Sequence, residues 1–458
     1  MTQHKSQIHF IAIGGSAMHN LAIALRSLGY QITGSDDEIF EPSRSHLSQN
    51  GILPSKMGWF PDKLSGSTEA VILGMHARPD NPELLKAQSL GLNIYSFPDY
   101  IYQASQNAKR VVIAGSHGKT TITSMILHVM KYSGKPFDYL VGAGIEGFDN
   151  MVQISNAPVI ILEGDEYLSS PLDRTPKFIR YNHQVGLISG ISWDHINAFP
   201  TKESYINQFE KFIDNTPSDG VIIYNSEDGI LAGLVEKKNR IFNTLAYQTP
   251  EYKIENNKYI LKYDNDWIPL SVFGKHNMQN LAGAIKTLEV LNLDKSIIKK
   301  AIQSFKGAKN RLEPILENDK ISIFKDFAHS PSKLKSTIEA ASELFHGKRV
   351  IACFELHTFS SLNKKFLMEY KDTMNKADVK IVFINDHTFE IKKMPRLDDE
   401  SIKNGFNDQE IIIVRKTEEL KFLLRDSIVD NSVSLLMSSG NFGGLDIKEF
   451  ASEFTTII

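Results

Sequence analysis

The segment Ala114-Gly115-Ser116-His117-Gly118-Lys119-Thr120-Thr121 constrains this chain more than any other. It follows the apolar run Val111-Val112-Ile113 and precedes a helical pattern, which makes a strand, a glycine-containing turn and a helix in succession. Such a turn aims backbone amides at an anion, and the helix N-terminus adds partial positive charge. Lys119 is placed to bridge β- and γ-phosphates, and the Thr120 hydroxyl to bind Mg²⁺. Gly115, Ser116, His117, Gly118 and Thr121 complete the candidate ATP cradle. Position 113 is Ile where the full phosphate-loop pattern has Gly. The alternative is a tight strand–helix turn with an incidental lysine. A loop of this kind belongs in an α/β fold built on a mainly parallel sheet.

Further candidates lie at strand ends. Val159-Ile160-Ile161-Leu162 runs into Glu163-Gly164-Asp165-Glu166, and Glu163, at the end of the strand, is the candidate magnesium ligand. A later strand ends in Ser189-Gly190-Ile191-Ser192-Trp193-Asp194-His195, where Asp194 is placed to orient His195 as a candidate metal ligand; a purely structural histidine is the alternative. Asn277 and Asn280 fall on one helical face and suit phosphate or adenine, although Asn277 also reads as a simple cap. Arg311 lies at a domain link, where it reaches a γ-phosphate only on domain closure; the alternative is a surface ion pair. The Gly14-Gly15-Ser16 turn with Ser35-Asp36 beyond it lacks the third glycine of a dinucleotide fingerprint, yet suits a nucleotide-linked diphosphate.

At about 150 residues per domain, 458 residues suggest about three domains. The pattern divides at residues 1–107, 108–308 and 309–458. Short strands over 252–272, separated by Asn256-Asn257 and Asp264-Asn265-Asp266, read as antiparallel hairpins within the central domain. With 51 basic and 54 acidic residues the net charge is −3, so no basic excess points to nucleic acid. Cys353 is the sole cysteine, which excludes an intrachain disulfide and Cys₄ zinc sites. No apolar run approaches the roughly 18 residues of a membrane span. The N-terminus has no signal-like pattern. A cytoplasmic protein, with neither nucleic acid nor membrane as partner, is expected.

Taken in order, these pieces resemble the Mur ligase family, the ATP-dependent amino-acid ligases of peptidoglycan synthesis. The resemblance spans Ile11–Gly15, Gly34-Ser35-Asp36, Gly115–Thr121, Glu163–Glu166, Asp194-His195, His276–Asn280, Arg311-Leu312-Glu313 and Asp326-Phe327-Ala328-His329-Ser330-Pro331. It implies three domains: an N-terminal Rossmann-like domain for the UDP-sugar, a central P-loop ATPase-like domain, and a C-terminal Rossmann-like domain for the incoming amine. It further implies ATP and Mg²⁺ as cofactors, Lys119, Glu163, His195 and Arg311 as catalytic residues, and Thr120, Glu163 and His195 as metal ligands. Asp326 joins Asn277, Asn280 and Arg311 at ATP. The UDP-sugar is expected at Gly14, Gly15, Ser16, Ser35, Asp36 and His76, and the amine at His329, His357 and Asn441.

The implied reaction joins the carboxylate of UDP-N-acetylmuramate to an amine through an acyl phosphate, in peptidoglycan synthesis or recycling and thus in cell-wall biogenesis, cell shape and division. Asp165-Glu166-Tyr167 with Asp173, Lys177-Phe178 and Tyr181, then Asp326-Phe327-Ala328-His329, and Met437–Gly444 resemble family members whose amine is the tripeptide L-Ala-γ-D-Glu-meso-diaminopimelate. L-alanine is the alternative amine. Ser330 stands where the family pattern has a second histidine, and Phe354–Phe359 lacks a nearby arginine. A monomer or weak homodimer is expected. A nucleotide-sugar-binding regulatory protein is the non-enzymatic alternative, and a dehydrogenase would rest on the Gly14-Gly15 turn alone.

Overall fold

The computed structural model describes residues 5–75, 77–170, 173–193, 198–237 and 241–455. The first sheet is parallel throughout, with β1 (Lys5–Ile11), β2 (Tyr30–Ser35), β3 (Thr68–Leu73) and β4 (Ile94–Ser96) in the order β2-β1-β3-β4. Helices α1 (Ser16–Ser27), α2 (Ser43–Gln49), α3 (Pro82–Ser89) and α4 (Phe97–Ala104) connect and cover it. Ile8, Phe10, Val71 and Ile72 are fully buried, as strands covered on both faces require. After β1 the chain turns through Ala12 at φ 66°, a left-handed conformation rare outside glycine. Ser35 O accepts from Ala12 N at 2.9 Å and Ile13 N at 3.1 Å, which holds that turn. Gly14–Ser16 therefore sits at the carboxyl end of the sheet, where open α/β sheets bind ligands.

The second sheet holds β5 (Lys109–Ala114), β6 (Asp138–Leu140), β7 (Val152–Gln153), β8 (Val159–Glu163), β9 (Val185–Ile188), β10 (Val221–Asn225) and β11 (Asn243–Tyr247). Its order is β11-β10-β9-β5-β8-β6-β7, parallel except for β7 on β6. Helices α5 (Lys119–Ser133), α6 (Lys177–Arg180), α7 (Lys202–Asp214) and α8 (Gly229–Glu236) belong to this stretch of chain. Central β5 lies between β8 and β9, so the chain leaves the sheet at Ala114, Glu163 and Ile188 side by side.

Beyond it come a three-stranded antiparallel sheet, β12 (Tyr252–Glu255), β13 (Lys258–Tyr263) and β14 (Asp266–Pro269), and helices α9 (Lys275–Val290) and α10 (Lys295–Gln303). The last sheet is β15 (Glu313–Glu317), β16 (Ile321–Asp326), β17 (Arg349–Glu355), β18 (Val379–Phe383), β19 (Ile412–Val414) and β20 (Ser432–Met437). Its order is β15-β16-β20-β17-β18-β19, with β15 antiparallel at one edge. Helices α11 (Pro331–Leu344), α12 (Asp386–Lys392), α13 (Asp399–Phe406) and α14 (Thr417–Ser427) link its strands, and α15 (Ile447–Ser452) follows the last of them. The architecture is thus α/β, with three mainly parallel sheets in succession.

Internal contacts divide the chain into two compact units, Met1–Ile191 with Ile206–Tyr247, and Ser192–Tyr205 with Gln248–Ile458. The hairpins over 252–269, read from sequence as part of the central domain, fall in the second unit, with the third sheet. The cause is aromatic packing. Tyr252 and Tyr259 stack with centroids 5.2 Å apart, and the Tyr259 hydroxyl donates to Glu343 of α11. Phe273 meets Phe324 and Phe345 edge to face. Among the described residues no helix is long and apolar enough to cross a membrane.

Candidate active site

The Gly115–Thr121 loop lies between β5 and α5 because no side chain fits at its first position. Gly115 has φ 130°, and a Cβ there would run into the Ser189 hydroxyl from the end of β9. Gly118, at φ 80°, is the left-handed residue that opens α5. Ser116 N donates to Gly190 O at 3.0 Å, and Ser189 Oγ donates to His117 O. Asp228 adds a second clamp, accepting from Ile191 N at 2.7 Å while it caps α8 through Leu231 N at 2.9 Å. Thr121 is buried in the first turn of α5.

Lys119 Nζ donates to Gly115 O and to Glu166 Oε2, both at 2.6 Å. Burial disfavours its charge, but Glu166, Asp165 and Glu163 outweigh that, and its pKa is raised. The lysine is therefore a fixed ammonium. Thr120 Oγ1 donates to Glu163 Oε1 at 2.7 Å, and Glu163 Oε2 accepts from Gly142 N at 2.8 Å. A hydroxyl from the first turn of α5 and a carboxylate from the end of β8 thus lie together, with only oxygen donors, as a hard divalent cation prefers. Tyr181, fully buried behind Asp165 and Glu163, is held far from ionisation by burial and by those carboxylates.

His195 and His76 lie outside the described residues. Among the described residues no group of three or more His, Cys, Asp or Glu forms a ready metal cage. Asn277 Nδ2 donates to Phe273 O at 2.8 Å, and Asn280 Nδ2 to Asn277 Oδ1 at 3.4 Å, so the pair braces the start of α9. Asp326, buried at the end of β16, accepts from Leu312 N and Ala328 N, both at 2.7 Å. Burial raises its pKa; Arg311 and those amides pull the other way. The Arg311 guanidinium lies 4.8 Å from the Phe327 ring centroid, and Nη1 donates to Asn310 O at 3.1 Å.

At the first sheet, Asp36 Oδ2 accepts from Gly14 N at 2.7 Å, and burial raises its pKa against the pull of the Gly14 and Asp37 amides. Ser35 is fully buried and accepts from Lys63 Nζ at 3.0 Å. Gly15 and exposed Ser16 open α1. At the third sheet, His329 Nδ1 donates to Phe327 O at 2.8 Å. His357 lies 3.7 Å from Glu355, the buried end of β17; burial and Lys392 lower its pKa, with Glu355 opposing. Phe442 N donates to Glu355 Oε2 at 2.9 Å, and Ser438 Oγ donates to the same oxygen. Asn441, exposed, receives Gly444 N at 3.2 Å.

Sequence reasoning passed over Glu166, Ser189 and Asp228 as site residues. Glu166 had a usable signal: a buried lysine needs a counter-ion, and an acid follows three residues after Glu163. Ser189 and Asp228 had none, because their roles are backbone contacts between strand ends.

Residues 7–109 match the family described as Mur ligase family, catalytic domain, and residues 113–288 match the Mur ligase middle domain. The chain is 30% identical over 461 residues to a UDP-N-acetylmuramate–L-alanine ligase of Sulfurihydrogenibium sp., covering 98% of each. It is also 30% identical over 386 residues to one from Caldicellulosiruptor bescii, covering 81% of this chain and 82% of that protein. Among solved structures, a UDP-N-acetylmuramate–alanine ligase from Thermotoga maritima shares the fold at TM-score 0.73 and 22% identity, covering 99% of this chain and 100% of that one. A murein peptide ligase from Psychrobacter arcticus does so at TM-score 0.66 and 21% identity, with the same coverage.

Proposed function

Since the chain belongs to the Mur ligase family, ATP-dependent enzymes that form amide bonds in peptidoglycan synthesis, we propose that it joins the lactyl carboxylate of UDP-N-acetylmuramate to the amino group of L-alanine. The observation that carries the reading is the fixed Lys119 ammonium beside the Thr120–Glu163 pair, together with relatives at 30% identity named for that reaction. L-alanine replaces the tripeptide as the first choice, because the curated relatives carry that name over most of the chain.

A carboxylate does not acylate an amine directly, because oxide is a poor leaving group. Its attack on the γ-phosphoryl group of ATP gives an acyl phosphate and ADP. The amine then displaces phosphate to leave the amide. Lys119 would offset charge on the transferred phosphoryl group, and the loop amides of Gly115–Thr121 would hold the other phosphates. Thr120 and Glu163 are the oxygen donors that fit Mg²⁺, which supplies charge neutralisation on the phosphates when bound. The division 1–107, 108–308 and 309–458 is kept as the division of labour between UDP-sugar, ATP and amine.

A second reading, the tripeptide as amine, is supported by the end of the third sheet. Glu355, His357 and Lys392 bring three ionisable groups beside the glycine-rich Gly440–Gly444 turn. Free L-alanine offers one carboxylate and one amino group to such a cluster, whereas the tripeptide brings further carboxylates and a second amino group. Offering equal concentrations of L-alanine and the tripeptide to one pool of UDP-N-acetylmuramate, with ATP and Mg²⁺, separates the two. A predominant L-alanine adduct by mass spectrometry supports the first reading, and a predominant tripeptide adduct replaces it with the second.

A further inference from the structure

Helix α1 places two buried polar residues, His19 and Asn20, one turn beyond Gly15-Ser16. His19 Nδ1 lies 3.0 Å from Gly15 O and 3.0 Å from Ser43 Oγ. Its Nε2 lies 3.0 Å from Asn20 Nδ2 and 3.3 Å from His46 Nδ1. Asn20 Nδ2 donates to Ser16 O at 2.8 Å. The carbonyls of the Gly15-Ser16 turn are thus held by side chains of the following turn.

On its other side Asn20 meets the segment that leads into β7. Its Oδ1 accepts from Met151 N at 3.0 Å, and its carbonyl accepts from Asn150 Nδ2 at 3.0 Å. Met151 O in turn accepts from Val141 N at 3.0 Å. The next residue, Gly142, donates its N–H to Glu163 Oε2 at 2.8 Å, and Glu163 Oε1 accepts from Thr120 Oγ1 at 2.7 Å. A Cβ on Gly142 would lie 2.8 Å from Glu163 Oε1, so that approach leaves no slack. One hydrogen-bonded path therefore runs from the Ser16 carbonyl through Asn20, Met151, Val141 and Gly142 to the Thr120–Glu163 pair. All of it lies in one compact unit.

We propose that Asn20 is a positioning residue that couples occupancy of the Gly14–Ser16 turn by the sugar nucleotide to the Thr120–Glu163 pair at the ATP phosphates. The inference rests on the two ligand assignments above. A diphosphate drawn to the amides of Gly15 and Ser16, the Gly14 amide being held by Asp36 Oδ2, fixes that turn and, through Asn20, fixes Met151. The strand partner of Met151 carries the amide that orients Glu163. Ordering one site reduces what must be ordered at the other, which appears as a favourable coupling free energy, reciprocal between the ligands.

Calorimetric titration of a non-hydrolysable ATP analogue with Mg²⁺, with and without saturating UDP-N-acetylmuramate, reads this coupling. In the wild type the sugar nucleotide is expected to tighten the analogue by about fivefold or more, with the same factor in the reverse titration. In Asn20→Ala the factor should fall to about one, while each ligand alone keeps roughly its wild-type affinity. A merely structural role for Asn20 would shift the unfolding temperature and both affinities without removing the factor. Should Asn20→Ala fail to fold, Asn20→Asp serves, since it keeps an acceptor for Met151 N and loses the donor to Ser16 O; the same fall is expected. Retention of the wild-type factor in the folded variant, or its absence in the wild type, overturns the proposal. A wild type that binds the analogue but no UDP-N-acetylmuramate refutes the sugar-nucleotide assignment itself, a distinguishable result.

Discussion

Lys119→Ala removes an ammonium that lies 2.6 Å from both Gly115 O and Glu166 Oε2. Loss of a charge aimed at a transferring phosphoryl group costs on the order of 10²–10³-fold in turnover. Steady-state phosphate release by a variant that still unfolds cooperatively is expected to fall at least that far, and near-normal turnover would remove the lysine from the mechanism. His183 gives a second test at this scale. Its Nε2 donates to Thr216 Oγ1 at 2.9 Å, because that hydroxyl spends its own proton on Ile213 O at 2.8 Å. Its ring stacks on Phe212 with centroids 4.0 Å apart, and burial, with Arg110 nearby, pushes its pKa down to about 3. The unfolded chain therefore binds a proton that the folded chain refuses. Stability is full above the unfolded value near 6.5 and is lost as pH falls toward the folded one, by about 1.4 kcal/mol per unit. Chemical denaturation at pH 7 and pH 5 should differ by about 2 kcal/mol from this residue, and His183→Phe should lose that part of the difference. At this scale the sequence made Lys119, Thr120 and Glu163 legible, because a strand–turn–helix with a lysine has few other uses. Glu166 was not read as its partner, because spacing along a chain does not say which of two nearby acids turns inward. Asn277 was legible as a helix cap, whereas the bond from Asn280 to the Asn277 side chain and the two backbone amides that Asp326 accepts were not.

The two turns of the hairpin sheet show why some elements read cleanly. Glu255 pairs with Lys258 across Asn256-Asn257, and Tyr263 with Asp266 across Asp264-Asn265. All four loop residues have positive φ, from 48° to 68°, the conformation of the two-residue turns that match strand twist. Asparagine and aspartate tolerate it, whereas β-branched residues do not. Asn257→Val, at φ 55°, should cost about 1–2 kcal/mol, read as a lower unfolding temperature, while Asn257→Gly should cost nothing. Parallel strands such as β5 were equally legible from their unbroken β-branched runs. The two-residue β7 and the antiparallel edge strand β15 were not, since short edge strands carry little periodicity and owe their pairing to neighbours.

Three successive α/β regions could be counted from length and strand–helix alternation, but the contacts that tie residues 248–303 to the third sheet could not. That grouping depends on Tyr252, Tyr259 and Phe273 meeting α11 and β16, contacts between residues more than fifty positions apart. Ligand linkage gives the prediction at this scale. A Mg²⁺-loaded ATP analogue at one hundred times its dissociation constant should stabilise the wild type by about 2.7 kcal/mol, seen as a raised unfolding midpoint, and should do far less for Lys119→Ala. Ligation through an acyl phosphate is tested by phosphate release in the presence of ATP and Mg²⁺, with UDP-N-acetylmuramate and the amine added separately and together. Sustained release is expected only with both, in a one-to-one ratio of phosphate to amide product. Release indifferent to UDP-N-acetylmuramate, or amide formed without ATP consumption, would contradict it.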